Sequence, residues 1–223
     1  MNQYCKKTVG LVLTVIISCI AMAIIETVIE PTYFLKSTLK ILFFLFLPLI
    51  FLKLQNEAVL ADAFAFEKKN AFQLLGLGLG VYAVIMLAFF LTRGIFDYAA
   101  LVDSLSSDQN VSPESFIWIA LYISFCNSLL EEFLFRYFAF IKLSKYTKKK
   151  FAYIFSACLF ALYHVAMIGG SFPFPLLLLS LVGLAIGGAI FNAVDDRSGS
   201  FYDSWVIHMF ADFAIMTIWY IHI

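Results

Sequence analysis

The fold class this sequence predicts is all-α, a polytopic transmembrane helix bundle of about seven spans, and three observations predict it. The 223 residues are 63% hydrophobic with a mean hydropathy of +0.93, against the roughly 45–50% apolar content of a soluble domain. The charged residues sit in short clusters between long apolar runs instead of coating a core. Those runs are too long and continuous for alternating barrel strands, and backbone groups in lipid must be satisfied within their own segment, as a helix does.

Measured against the ~20 residues needed to cross a bilayer, the runs fall at about 8–29, 35–54, 71–92, 114–142, 151–168, 174–193 and 203–222. The first follows Lys6 and Lys7 and contains Ala21-Met22-Ala23, which looks like a signal cleavage site, and Ile16-Ile17-Ser18-Cys19, which looks like a lipoprotein box. It runs on for about 22 residues, beyond the usual ~7–15-residue signal core, and so reads as an uncleaved first span. The weak break at Glu30-Pro31 and the marginal apolar stretch 95–105 allow six or eight spans. Segment 101–114 reads as the one extended loop, with Ser112-Pro113-Glu114 as a helix start. The whole chain reads as a single membrane domain, 1–223, with its core helices in 114–222.

Gly76, Gly78 and Gly80, and Gly183, Gly187 and Gly188, include two GxxxG spacings, expected to let helices approach closely. Cys5, Cys19, Cys126 and Cys158 form no CxxC pair and suggest neither a disulfide framework nor cysteine chemistry. With 15 basic and 15 acidic residues, the net charge gives no argument for a nucleic-acid partner. Basic residues are retained on the cytoplasmic side. With the N-terminus inside, that side carries eleven: Lys6, Lys7, Lys53, Lys68, Lys69, Lys142, Lys145, Lys148, Lys149, Lys150 and Arg197. The outer segments carry three, Lys36, Lys40 and Arg93. An N-terminus in the cytoplasm is the expectation.

The fourth span places Glu131, Glu132 and Arg136 mid-helix. Each would cost roughly 2.5–3.5 kcal/mol facing lipid, so three unpaired charges would cost about 8–10 kcal/mol. They must face the bundle interior. At ~100° per residue Glu132 and Arg136 share a face and are expected to pair, leaving Glu131 free for another neighbour. His164 and His208 lie in the fifth and seventh spans, and Asp212 lies one turn beyond His208, placed to set its tautomer or to share a ligand. His222 is terminal and expected to be inert. Helical rise puts Glu131 about 16 Å from Lys142, His164 about 21 Å from Lys150 and His208 about 16 Å from Arg197, which is one layer near mid-membrane.

A purely structural reading is an ion pair locking helix register, with each histidine bonded to a carbonyl. The functional reading is hydrolysis, with Glu131 as base toward a water, or a zinc site using Glu131, His164 and His208, although HExxH spacing is absent. A proton-coupled transporter would use the same Glu/His relay, but no repeated halves appear.

Glu-Glu-x-x-x-Arg at 131–136, Phe-x-x-x-His at 160–164 and His-x-x-x-Asp at 208–212 resemble, in order and placement, the three signatures of the CPBP family of CAAX-protease and bacteriocin-processing intramembrane proteases. The resemblance covers about 114–220. It implies an endopeptidase acting on a peptide or membrane-protein precursor in a bilayer, in a bacterial cell membrane. Glu131 would activate water, His164 assist, and His208 with Asp212 stabilise the oxyanion. Glu132, Arg136 and Phe160 would support the site. The family's last position is Asn or Asp, and an ionised Asp accepts hydrogen bonds without donating them. A zinc-dependent and a metal-free glutamate mechanism are both compatible with the resemblance. The family also has members linked to bacteriocin self-immunity or scaffolding, the alternative function here.

Overall fold

The computed structural model describes residues 3–57, 71–109 and 111–222. Its helices are α1 (Tyr4–Ile29), α2 (Tyr33–Leu54), α3 (Ala71–Thr92), α4 (Tyr98–Gln109), α5 (Pro113–Lys142), α6 (Lys149–Ile168), α7 (Phe174–Ser198) and α8 (Tyr202–His222). All but α4 are long and apolar enough to cross a membrane, so seven candidate spans stand among the described residues, with no strand. The all-α polytopic bundle read from the sequence is the fold.

The helix ends follow local chemistry. Glu30 adopts a left-handed conformation (φ 45°) and returns its N–H to Ile25 O, and Pro31 then prevents α1 from continuing into α2. Ser112 accepts from the Ser115 N–H while Ser115 Oγ accepts from the Ser112 N–H, a capping box that starts α5 where the Ser-Pro-Glu signal placed it. Gly199, at φ 74°, ends α7 by donating to Asp195 O at 2.7 Å, a conformation that suits glycine because it has no Cβ.

The inner half of α5 is the central post of the bundle. Every residue from Leu130 to Phe140 is buried, and this stretch touches α1, α2, α6, α7 and α8. A helix apolar on all faces but for a few charges belongs in such a place. Its hydrogen bonding widens to i→i+5 over Tyr122–Asn127 and Phe133–Lys142, leaving Ser128–Glu132 as a short α-helical island. Such widened turns are frequent at functional sites. Peripheral α3 buries little besides Leu74, Gly78 and Phe89, and lies on α8.

Three expectations need correction. Segment 101–114 is mostly helix, not loop: α4 lies against α8, where Trp219 Nε1 donates to Ser106 Oγ at 2.9 Å, and Val102 joins Phe116, Met216 and Trp219 in a small core. Lys36 and Lys40 are not outer-loop residues. Both lie inside α2 and are buried. The close helix approaches are made outside the GxxxG pairs: a Cβ at Gly188 would lie 3.2 Å from Ala157 Cα and one at Gly78 would overlap the Phe210 ring, whereas Gly76, Gly80, Gly183 and Gly187 face open space. Lys68 and Lys69 of the charge count lie outside the described residues.

Three segments are tied together where α1 begins. Lys7 Nζ donates to Glu57 Oε1 at 2.6 Å, Tyr146 OH donates to the same oxygen, and Thr8 Oγ1 donates to Tyr146 O at 2.9 Å. The Lys7 hydrogen bond holds the Glu57 carboxyl below its ordinary range, and burial pushes the Tyr146 phenol up.

Candidate active site

The α5 island presents Glu131 and Glu132 about 100° apart, so they reach different neighbours. Glu132 Oε2 lies 3.2 Å from Arg136 Nε, the one-turn ion pair expected from the spacing, with both side chains fully buried. The guanidinium is enclosed by Phe160 at 4.4 Å and Phe191 at 5.3 Å to the ring centres, which suits a weakly hydrated planar cation. Its Nη1 donates to Ser156 Oγ at 3.3 Å, and Ser156 Oγ lies 2.7 Å from Phe135 O and 3.1 Å from Asn192 Oδ1. Arg136 is thereby fixed by α5, α6 and α7 together.

The other oxygen of Glu132 does something the spacing did not indicate. Oε1 accepts from His208 Nδ1 at 2.8 Å, so Glu132, not Asp212, sets the ring of His208. Asp212 Oδ1 stands 3.7 Å from His208 Nε2, too far for a direct hydrogen bond. Its Oδ2 is buried and has no hydrogen-bond partner among the described residues.

His164 is fixed by its own helix. The α6 ladder tightens at this residue, whose N–H turns to Ala161 O. Phe160 O is then open to the His164 ring and accepts from Nδ1 at 2.8 Å. A carbonyl can only accept, so Nδ1 carries the proton and, in the neutral ring, Nε2 is left as an acceptor. The Phe160 ring packs edge-on against both imidazoles, at 4.7 Å from His164 and 5.8 Å from His208.

Glu131 joins these parts. Oε2 is 3.9 Å from His164 Nε2 and 3.9 Å from His208 Nε2. Oε1 accepts from Lys40 Nζ at 2.6 Å and from Asn127 Nδ2 at 3.1 Å, and Lys40 Nζ also donates to Asn127 Oδ1 at 2.5 Å. Glu131, which helical spacing left free for another neighbour, meets Lys40 and Asn127 with one oxygen and faces the two imidazoles with the other. A buried carboxylate held at one oxygen and open to two imidazoles at the other can take a proton from a water lying between them.

The structure brings Glu131, Glu132, Arg136, Phe160, His164, His208 and Asp212 into one cluster, while His222 lies elsewhere, against Phe89 and Tyr98. Sequence reasoning missed Lys40 and Asn127. The available signals were Lys36 and Lys40 one turn apart inside an apolar run, and Asn127 one turn before Glu131. It also missed Asp195, fully buried, whose Oδ1 accepts from the Ser204 N–H at 3.0 Å at the start of α8.

The residues as they stand do not fit a resident zinc ion. The 3.9 Å separations exceed the roughly 3.3 Å edge between two ligands of tetrahedral zinc, and the Lys40 ammonium beside Oε1 sets a positive charge against a cation at this carboxylate. Among the described residues no three His, Cys, Asp or Glu side chains form a metal-holding group.

Residues 113–214 match the family model described as Type II CAAX prenyl endopeptidase Rce1-like. Over that segment the chain is similar to the CPBP family, to which that model belongs. The match contains both histidines, both glutamates, Arg136, Phe160 and Asp212, and leaves out α1 to α4. No curated protein and no solved structure matches the chain. At family level the CPBP match supports a CAAX-type intramembrane protease acting on a peptide or protein, and the seven apolar helices with it make the chain an integral membrane protein.

Proposed function

We propose that this protein is an intramembrane endopeptidase that hydrolyses a peptide or membrane-protein precursor through a water activated by Glu131, without a metal. The observation that carries the reading is the Glu131 carboxylate, with Oε1 tethered and Oε2 facing His164 Nε2 and His208 Nε2 at 3.9 Å each. A water bonded to Oε2 and to the acceptor Nε2 of His164 is aligned to attack an amide carbonyl. Glu131 takes the water proton as the carbon–oxygen bond forms, then delivers it to the leaving nitrogen as the carbon–nitrogen bond breaks. A positioned base of this kind contributes about 10²–10⁴-fold.

The oxyanion of the tetrahedral intermediate falls to His208. Its Nδ1–H is committed to Glu132, so only Nε2 can face substrate, and Nε2 donates when the ring is protonated. Two cations, Lys40 and Arg136, stand among three carboxylates, Glu131, Glu132 and Asp212, and an imidazolium at His208 balances them. Loss of one oxyanion donor typically costs 10²–10³ in kcat.

The test is cleavage, in detergent, of a peptide pool that includes a farnesylated CaaX peptide, read by mass spectrometry. Wild type, Glu131→Gln and His164→Ala are compared with and without a zinc chelator. The expected result is new termini from wild type alone, unchanged by the chelator. Identical product patterns from all three proteins would end the protease reading, and loss of wild-type products on chelation would end the metal-free mechanism.

A further inference from the structure

Lys40 lies 91 positions before Glu131, outside the segment that carries the family match, yet it makes a 2.6 Å ion pair with the proposed base. Its side chain is about 5% exposed, so the pair is screened from solvent. The ammonium is also positioned independently of the carboxylate. It stands 5.1 Å from the ring centres of both Phe44 and Tyr163 and donates to Asn127 Oδ1. The Asn127 amide completes a closed triangle by donating to the same Glu131 oxygen. Both of these donors reach Oε1, and Oε2 alone is presented to the histidines.

We propose that Lys40, with Asn127, is a positioning residue for the reaction, fixing the Glu131 carboxylate by one oxygen so that the other is held at the two histidines. This rests on the reading of Glu131 as the base. A carboxylate on a mid-membrane helix has three soft torsions, and a displacement of about 1 Å at a reacting group can cost 10²-fold in rate. Lys40 therefore supplies orientation and a balancing charge without touching substrate. A functional part of the site thus lies on α2.

The experiment compares wild type, Lys40→Met, Lys40→Arg and Asn127→Ala on whichever peptide of the pool wild type cleaves fastest, with kcat normalised to the folded fraction. Removing the ammonium should lower kcat about 100-fold and leave KM within a factor of about three, because no substrate contact is lost. Lys40→Arg, which keeps the cation, should recover at least tenfold over Lys40→Met, and Asn127→Ala should fall between them. A purely structural lysine would lower the folded fraction and leave normalised kcat intact, which would overturn the proposal. A change confined to KM would also overturn it.

A second readout needs no substrate. The infrared difference between each background and its Glu131→Gln counterpart isolates the Glu131 carboxylate band. That band should shift or broaden when Lys40 becomes Met, and superimposable bands would refute the tether. If Glu131→Gln cleaves like wild type while the band responds to Lys40, the reading of Glu131 as the base fails and the tether stands.

Discussion

At the residue scale, the site divides its carboxylates by partner, and each partner makes a different prediction. Asp212 faces His208 Nε2 at 3.7 Å with one oxygen unpartnered among the described residues. As a carboxylate it faces the His208 imidazolium, and an amide in its place gives up that charge but can itself donate to the oxyanion. Asp212→Asn should therefore keep kcat within about tenfold of wild type, whereas Asp212→Ala should lose about 10²-fold; steady-state cleavage of the reporter peptide checks both. Glu132→Gln leaves His208 an acceptor but strands the fully buried Arg136. Stranding a buried charge costs about 3–5 kcal/mol, so this variant should melt well below wild type in detergent. The six ionisable residues of the three motifs were legible because a charge in lipid demands an explanation and helical spacing supplies directions, and Phe160 came only with the family resemblance. What spacing within one helix cannot show is which foreign helix arrives. That is why Lys40 was counted with the outer segments and the neighbour awaiting Glu131 went unnamed, and why the orienting partner of His208 was sought one turn along α8 and found on α5.

At the element scale, the small residues that matter are those with a neighbour. A Cβ on Gly188 would meet the Ala157 backbone, which cannot move aside as a side-chain tip can, so Gly188→Val should cost about 1–3 kcal/mol. Gly76→Ala and Gly80→Ala point into open space and should leave the melting temperature unchanged or slightly raised. A thermal series in one detergent separates the two classes. GxxxG spacing marked the correct helices and the wrong residues, since the motif gives a face only when the partner's position is known. The seven spans were legible because apolar length is a direct consequence of bilayer thickness. Helix α4 was not, because its Asp and Ser content reads as loop and its order comes from Trp219 and Met216 of α8, far along the chain.

At the scale of the whole molecule, the bundle is bound at one end by the Lys7, Glu57 and Tyr146 cluster. The folded Glu57 value is lowered, so its contribution to stability is complete above the ordinary glutamate range near pH ~4.3 and is lost as pH falls through the folded value. The difference in melting temperature between wild type and Glu57→Gln should be constant from about pH 8 to 5 and should close below about pH 4. With Lys36 and Lys40 inside α2, Arg93 alone remains of the three basic residues assigned to the outer side. We infer an N-terminus on the cytoplasmic side, and a protease-accessible tag at that end should be protected in sealed cells.

The lysines of α2 also impose an order on biosynthesis. Lys36 meets Glu26 of the preceding helix at 2.7 Å, so its partner already exists when α2 leaves the ribosome. Lys40 must wait for a glutamate 91 residues later, about 5–20 s at ordinary elongation rates. Throughout that interval the Lys40 ammonium lacks its Glu131 partner, and a lone lysine at a helix centre costs roughly 2.5–3.5 kcal/mol in lipid. A nascent chain arrested before α5 should be cleared by quality-control proteases faster than one arrested just after it, and pulse-chase lifetimes of the two arrested chains measure the difference.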